Sequence, residues 1–384
     1  MHICHVITRL IIGGAQENTV LSCRGLVEMG HEVTLIAGPE TGPEGSLWDD
    51  AQRSGARLVT LPSMLRAVSL RHDLAARREL KAKFVELAPD VVHTHSSKAG
   101  ILGRAAAAAA GVPVVVHTVH GMSFNRTQPR MVQALYRSLE RRAARHTTAF
   151  VSVADAMTAQ CVAAGIAPAD RFVTIRSGMR TEAFTPDEGV HQALRREWGV
   201  GDGDVVVATI ARLFRNKGYE ELIAAMPRAT AAAPNLRFVW IGDGADRPRY
   251  EAALAAIGLR DRVRMVGLVP PSEVPRLLNG CDMLVHASRW EGLPRAVVQG
   301  LLMRVPAVGF DNDGTPEVID HEQTGLLVRL GDIDGLAGAM ARFARDPELR
   351  ARCGSAGRER CLTAFDWRVM VAALDRLYRS LRPA

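Results

Sequence analysis

Arg212 and Lys217 stand five residues apart in Ala211-Arg212-Leu213-Phe214-Arg215-Asn216-Lys217-Gly218, between an apolar run and a helix-forming stretch. A guanidinium fork and an ammonium point charge on one strand-to-helix turn suit a diphosphate leaving group. Taken alone, two solvent-facing cations are the plainer account. Further along, Ser288-Arg289-Trp290-Glu291-Gly292-Leu293-Pro294-Arg295 sets a carboxylate before a Gly-Leu-Pro turn, and Gln299 follows eight residues after Glu291. Eight residues make about two helical turns, so the two side chains are read near one azimuth at a helix start. A carboxylate and an amide aimed at one crevice suit sugar and ribose hydroxyls. An isolated pair of this kind is more often a solvated helix pair.

Gly13-Gly14 follows the first apolar run, and Gly242-Asp243-Gly244 follows a later one. Glycines there let a ligand approach free N–H groups at a helix N-terminus, although plain turn geometry would also account for them. Neither is G-x-G-x-x-G, and no G-x-x-x-x-G-K-[ST] occurs, which excludes a P-loop nucleotidase. His93 and His95 alternate on one strand, and His117 and His120 lie on the next. Without a clustered carboxylate they are not read as a metal site. Asp311-Asn312-Asp313 has the spacing of a metal-binding D-x-D but is read as a turn. In His93-Thr94-His95-Ser96-Ser97-Lys98, the residues His95, Ser96 and Lys98 are read toward an acceptor, with a helix-capping Ser left open beside that.

The elements that must hold these groups alternate between strand and helix, twice over. Strands are expected at 2–7, 32–38, 56–61, 90–95, 113–120, 148–154 and 171–175, then at 204–211, 236–242, 263–267, 283–288 and 306–310. Helices fill 15–30, 73–88, 99–110 and 131–145, then 220–231, 248–257, 273–279, 295–303 and 334–345. A loop is read at 176–190. The last stretch, 367–381, is an amphipathic helix with Val369, Leu374 and Leu377 near one face. This pattern predicts an α/β chain of two doubly wound parallel sheets, with ligands beyond the carboxyl ends of the strands.

The chain has 384 residues, 47% apolar and 23% charged, which excludes a disordered or fibrous protein. Only 5% is aromatic, so the core is expected to be built from Ala, Val, Leu and Ile. Six scattered Cys without a C-x-x-C pair make neither a disulfide framework nor a zinc site, and they suit a reducing cytoplasm. The longest uncharged apolar run, 105–116, falls short of the roughly 20 residues of a membrane span. The N-terminus shows no secretion signal.

Net charge is +7, and all of it sits in the first half: residues 1–180 hold 21 Lys and Arg against 14 Asp and Glu, and the rest holds 27 of each. Two clusters dominate, one of Arg66, Arg71, Arg77, Arg78, Lys81 and Lys83, the other of Arg126, Arg130, Arg137, Arg141, Arg142 and Arg145. Arg130, Arg137, Arg141 and Arg145 share a helical face. The clusters suit an anionic membrane surface or a phosphate-bearing substrate; a solvated face in an Arg-biased chain remains the alternative. No aromatics are interleaved and no nucleic-acid module appears, which argues against nucleic acid.

Taken in order, GGAQ, DVVHTHSSKAGILGR, HTVHG, ARLFRNKG, VWIGDG, VRMVG, SRWEGLPRAVVQG, DGTPEVI, TGLLV and a closing FDW resemble the family 4 retaining glycosyltransferases of the group 1 type. The resemblance covers nearly the whole chain. It implies the GT-B fold, two Rossmann-like domains facing across a cleft. These are an acceptor domain, 1–180 with helix 366–384 crossing back onto it, and a donor domain, 181–365. It implies a nucleoside-diphosphate hexose as donor, retention at the anomeric carbon, and neither cofactor nor metal. Arg212 and Lys217 would clamp the diphosphate, Glu291 would contact donor-sugar hydroxyls, and His120 would face that sugar. Gly13 and Gly14 would approach donor and acceptor; Gly242, Val266 and Gly267 would lie toward the nucleotide, the latter two by the base; Gly292, Leu293 and Pro294 would lie by phosphates and sugar. Gln299 replaces the second acidic residue of the family's E-x7-E element and keeps hydrogen bonds to ribose without charge assistance. Arg130, Arg137 and Arg141 point to a carbohydrate or lipid-linked, anionic acceptor, as in envelope polysaccharide assembly at the inner face of the cell membrane. A nucleotide-sugar 2-epimerase on the same architecture, or an inactive sugar- or lipid-binding scaffold, are the alternatives.

Overall fold

A computed structural model describes every residue except 41, 43, 44, 125–127, 383 and 384. Arg126, of the second basic cluster, lies outside the described residues. The chain divides into two units, Met1–Met179 with Asp366–Ala384, and Arg180–Phe365.

The first unit runs β1 (His2–Ile7), α1 (Gly14–Glu28), β2 (Glu32–Ala37), α2 (Trp48–Gln52), β3 (Arg57–Thr60), α3 (Leu70–Leu87), β4 (Val91–His95), α4 (Ser97–Ala110), β5 (Val114–Val119), α5 (Arg130–Ala144), β6 (Ala149–Ser152), α6 (Asp155–Ala163) and β7 (Phe172–Thr174). Its seven parallel strands lie in the order β3-β2-β1-β4-β5-β6-β7, which turns back between β1 and β4. Alternation along each strand serves two cores, as a sheet covered on both faces requires. Ile3 and Ile7 meet α1 and the closing helix Trp367–Leu381, while Cys4 and Val6 meet α3 and α4.

The closing helix buries Met370, Val371, Leu374 and Tyr378, but Val369 faces solvent, contrary to its expected place on the apolar face. Gly25 of α1 permits the approach, because a methyl there would stand 2.7 Å from Val371.

The second unit runs α7 (Glu188–Trp198), β8 (Val205–Ile210), α8 (Tyr219–Ala232), β9 (Leu236–Ile241), α9 (Arg247–Ala256), β10 (Val263–Gly267), α10 (Val274–Asn279), β11 (Met283–His286), α11 (Arg295–Leu302), β12 (Ala307–Asp311), β13 (Gly325–Arg329), α12 (Ile333–Arg345) and α13 (Pro347–Ala364). Its six parallel strands lie in the order β10-β9-β8-β11-β12-β13, turning back between β8 and β11. Its core is not purely aliphatic: Tyr219, Trp240 and Tyr250 pack ring on ring, with Phe238, Phe310 and Phe343 also buried.

The strands expected from apolar runs form within two residues of their predicted ends. Strand β13 and helices α2, α6, α7 and α13 were not anticipated. The six Cys are buried and free. Among the described residues no helix is long and apolar enough to cross a membrane.

Candidate active site

Where the strand order of a doubly wound sheet reverses, the loops leaving the two central strands splay apart and open a crevice. In the second unit those loops follow β8 and β11, and they carry Arg212, Lys217 and Glu291. Lys217 Nζ donates to Glu291 Oε1 at 2.7 Å, with the lysine side chain 31% and the glutamate side chain 18% exposed. The two loops are stitched by backbone: Arg289 N donates to Asn216 O at 3.1 Å, and Ser288 Oγ donates to the same carbonyl. Gly218 is fixed at φ +83, and a methyl there would stand 2.1 Å from the Ala287 carbonyl oxygen. Glycine at 218 therefore brings Lys217 against the β11 loop. Arg212 is exposed on the same loop, its guanidinium 5.2 Å from the centre of the Phe214 ring.

The turn after β9 straps this loop from the other side. Leu213 N donates to Asp243 O, and Gly242, at φ +136, leaves no room for a side chain beside the Ala211 carbonyl. Gly242 N also donates to Gly267 O at 2.9 Å, so Gly242, Val266 and Gly267 line the ends of β9 and β10. Gly292, Leu293 and Pro294 form a buried turn into α11, whose first turn has no side-chain cap; neither has α8. Uncapped N-termini offer amides and a positive dipole end to an anion. Helix α11 begins only at Arg295, so Glu291 sits in the preceding loop and does not share a helical azimuth with Gln299. Gln299 is half-buried on α11.

Two residues of this crevice were missed in the sequence. His286, the last residue of β11, is buried with Nε2 3.6 Å from Glu291 Oε1. Burial holds its pKa below the ordinary value. Asp313, at φ +48, accepts a hydrogen bond from Glu291 N at 2.9 Å and so anchors the loop. A His closing a strand next to the switch point was the available signal for the first; the D-x-D spacing, read as a turn, hid the second.

Burial alone would raise the Glu291 carboxyl, but Lys217 and His286 hold it below the ordinary carboxylate value. A depressed folded-state pKa means that Glu291 adds stability above its unfolded pKa, about 4.3, and that this is lost as pH falls through the folded value. Urea midpoints of wild type and Glu291→Gln should differ most near neutrality and converge on acidification. A gap independent of pH would contradict the coupling.

In the first unit, Gly13 is extended and opens α1 without a side-chain cap; its neighbour Gly14 is the first helical residue. No left-handed turn demands glycine at 13. Ser96 stands at the N-cap of α4 with φ +61, yet its hydroxyl meets Thr8 Oγ1 at 2.8 Å, and Thr8 Oγ1 in turn accepts from Ala99 N. Thr8, just past β1, therefore caps the helix. A cavity of about 270 Å³ at the ends of β4 and β5 is bordered by Ser96, His120, Met122, Phe124 and Glu140.

Several expected acceptor contacts are otherwise engaged. His95 is buried, bonded to His5 and His120. Lys98 is ion-paired with Asp73 at 2.6 Å. Arg141 donates to Ala164 O and Gly165 O and so caps α6. Arg137 lies over Phe124, and Arg130 is exposed. A helical face of Arg says nothing about which carbonyls wait across the groove.

Two family models match the chain, one described as glycosyl transferases group 1 over residues 190–360, the other as glycosyl transferase 4-like domain over 13–178. The UDP-Gal:alpha-D-GlcNAc-diphosphoundecaprenol alpha-1,3-galactosyltransferase of Escherichia coli is 29% identical over 351 residues, 90% of this chain and 89% of that one. The GDP-mannose-dependent alpha-(1-6)-phosphatidylinositol monomannoside mannosyltransferase of Mycolicibacterium smegmatis is 26% identical over 92% of both. Anabaena HepE, solved with UDP-glucose, matches with a TM-score of 0.84 at 19% identity, over 99% of this chain and 100% of that one. Such identity speaks for fold alone.

Proposed function

Because the chain belongs to the group 1 glycosyltransferases of the GT-B fold, we propose that it moves a hexose-type sugar from a nucleoside diphosphate to a lipid-linked, anionic acceptor with retention at the anomeric carbon. The observation that carries this reading is the Lys217–Glu291 pair at the switch point of the second sheet. Arg212, Lys217 and the first-turn amides of α8 and α11 neutralise the diphosphate as it departs. Glu291 accepts hydrogen bonds from sugar hydroxyls, and Gln299 meets the ribose. The family resemblance would also bring His120, Gly13 and Gly14 to the sugar. The acceptor hydroxyl attacks the anomeric carbon on the face that the phosphate leaves, and its proton passes to the leaving oxygen. Glu291 is held by Lys217, which favours this front-face route over a covalent intermediate. The nucleotide-sugar is consumed as substrate, and the reaction so drawn calls for no cofactor or metal.

The acceptor class rests on the first unit. Helix α4 packs against both α3 and α5, and all three begin at the carboxyl edge of the sheet. At that edge Val68, Leu70, Met131 and Leu135 are exposed, Met131 by 85%, among Arg66, Arg71 and Arg130. Apolar tips among Arg side chains suit anionic headgroups at the inner face of a membrane. Two relatives named above also carry lipid terms in their names.

A thermal-shift screen with UDP, GDP, ADP and their sugars tests the donor. Ligand at 100 times Kd adds about 2.7 kcal/mol, so one base should raise Tm by several degrees. No shift with any of them would sink the reading.

A further inference from the structure

Strand parity gathers one set of imidazoles on a single face of the first sheet. His5 of β1 lies opposite His93 of β4, and His95 lies opposite Thr118 of β5, with His120 two residues beyond. All of these share the face that the closing helix covers. The rings join into a line: His5 Nδ1 is 2.9 Å from His95 Nε2, and His95 Nδ1 is 3.0 Å from His120 Nε2. His5 and His95 are buried, whereas His120 borders the cavity. The far end of the line, His5 Nε2, is buried with no partner among the described residues.

That end decides the direction of the line. Burial keeps His5 and His95 neutral, with His5 lowered to about 3, so each ring carries one proton. If the bonds ran from His120 toward His5, the last proton would sit on His5 Nε2 as a buried N–H without an acceptor. Orphaned buried N–H groups are rare and costly. Run the other way, His5 Nδ1–H donates to His95, His95 Nδ1–H donates to His120 Nε2, and only a lone pair is left bare.

We propose that His5 and His95 are positioning residues which hold His120 as its Nδ1–H tautomer, so that it offers a hydrogen-bond donor to an oxygen of the transferred sugar. The sugar contact rests on the function proposed above; the tautomer does not. The same cluster has the spacing of a three-histidine metal site, with ring nitrogens of His5, His93 and His95 within 4.8 Å of one another. Both nitrogens of His93 are occupied, however, Nδ1 by Tyr378 Oη at 2.5 Å and Nε2 by Thr118 Oγ1 at 2.6 Å. His93 is thus already engaged within the fold at both ring nitrogens.

Long-range ¹H–¹⁵N spectra of the full chain with labelled histidine read the tautomer directly. Wild type should show His120 protonated on Nδ1, and one equivalent of Zn²⁺ should leave the histidine signals unmoved. His95→Phe should release the tautomer and lower kcat roughly 10-fold, the scale of one hydrogen bond. His95→Asn, whose amide can donate from the Nδ1 position, should restore both. His120 protonated on Nε2 in wild type overturns the proposal without any variant. So do zinc-shifted His5, His93 and His95 signals, or a His95→Phe protein with unchanged tautomer and rate. Full transfer by His120→Ala would instead remove the sugar contact while leaving the tautomer result standing.

Discussion

Lys217→Ala should lower kcat about 100-fold or more, with a smaller change in KM for the nucleotide-sugar. On the function proposed above, the ammonium stands where a diphosphate gains charge as the sugar leaves, so its worth is greatest in the transition state. Removing it also strips Glu291 of the cation 2.7 Å away and leaves a half-buried carboxylate without that partner. The two losses act in the same direction. Lys217→Ala combined with Glu291→Ala separates them, because residues acting as a unit give strongly non-additive changes. Lys217→Arg should recover only part of the rate, since a planar fork does not replace a point charge on this short loop. Steady-state kinetics decides the matter: a Lys217→Ala protein turning over at the wild-type rate removes that residue from the chemistry. A rise in KM alone would leave it as a binding contact only.

How much of this was legible in the sequence follows from what each signal measures. Buried parallel strands write themselves as short apolar runs, and both sheets were readable for that reason. Helix α13 escaped because its packing is not apolar in the usual sense. It meets α11 and the turn that follows it through Gly357 and Gly354: a methyl on Gly354 would stand 2.1 Å from the Arg304 carbonyl oxygen, and one on Gly357 2.5 Å from Leu301. Contact by small residues leaves no hydrophobic period to find. Strand β13 is five residues at a sheet edge, where Gly325 fits against the Ala307 carbonyl. The Arg212–Lys217 spacing and the Glu291 loop were visible because their neighbours in sequence are their neighbours in space. His286, Asp313 and the line from His5 to His120 join different strands, and only the register brings them together. Arg141 and Lys98, read in the sequence toward an acceptor, meet carbonyls and Asp73 in the fold, partners that no local pattern displays.

The closing helix supplies the second large effect. Trp367 is 4% exposed, packs against Gly25 of α1, and donates its backbone N–H to Met179 O at 3.0 Å. A buried Trp cut to Ala usually costs 3–5 kcal/mol, transfer and cavity together. Here Nε1 is buried without a hydrogen-bond partner among the described residues, so the substitution also returns a desolvated donor. Trp367→Ala should therefore fall near the lower end, about 3 kcal/mol, and most of it should appear in the first unit. Hydrogen exchange should quicken in β1, α1 and β4, while β8 to β13 keep their protection. Since His93 is bonded to Tyr378, eleven residues further along this helix, loosening it should also disturb the imidazole line beneath the cavity. An unchanged urea midpoint, or equal loss of protection in the second sheet, would show that the helix does not belong to the first unit's core in the way its packing requires.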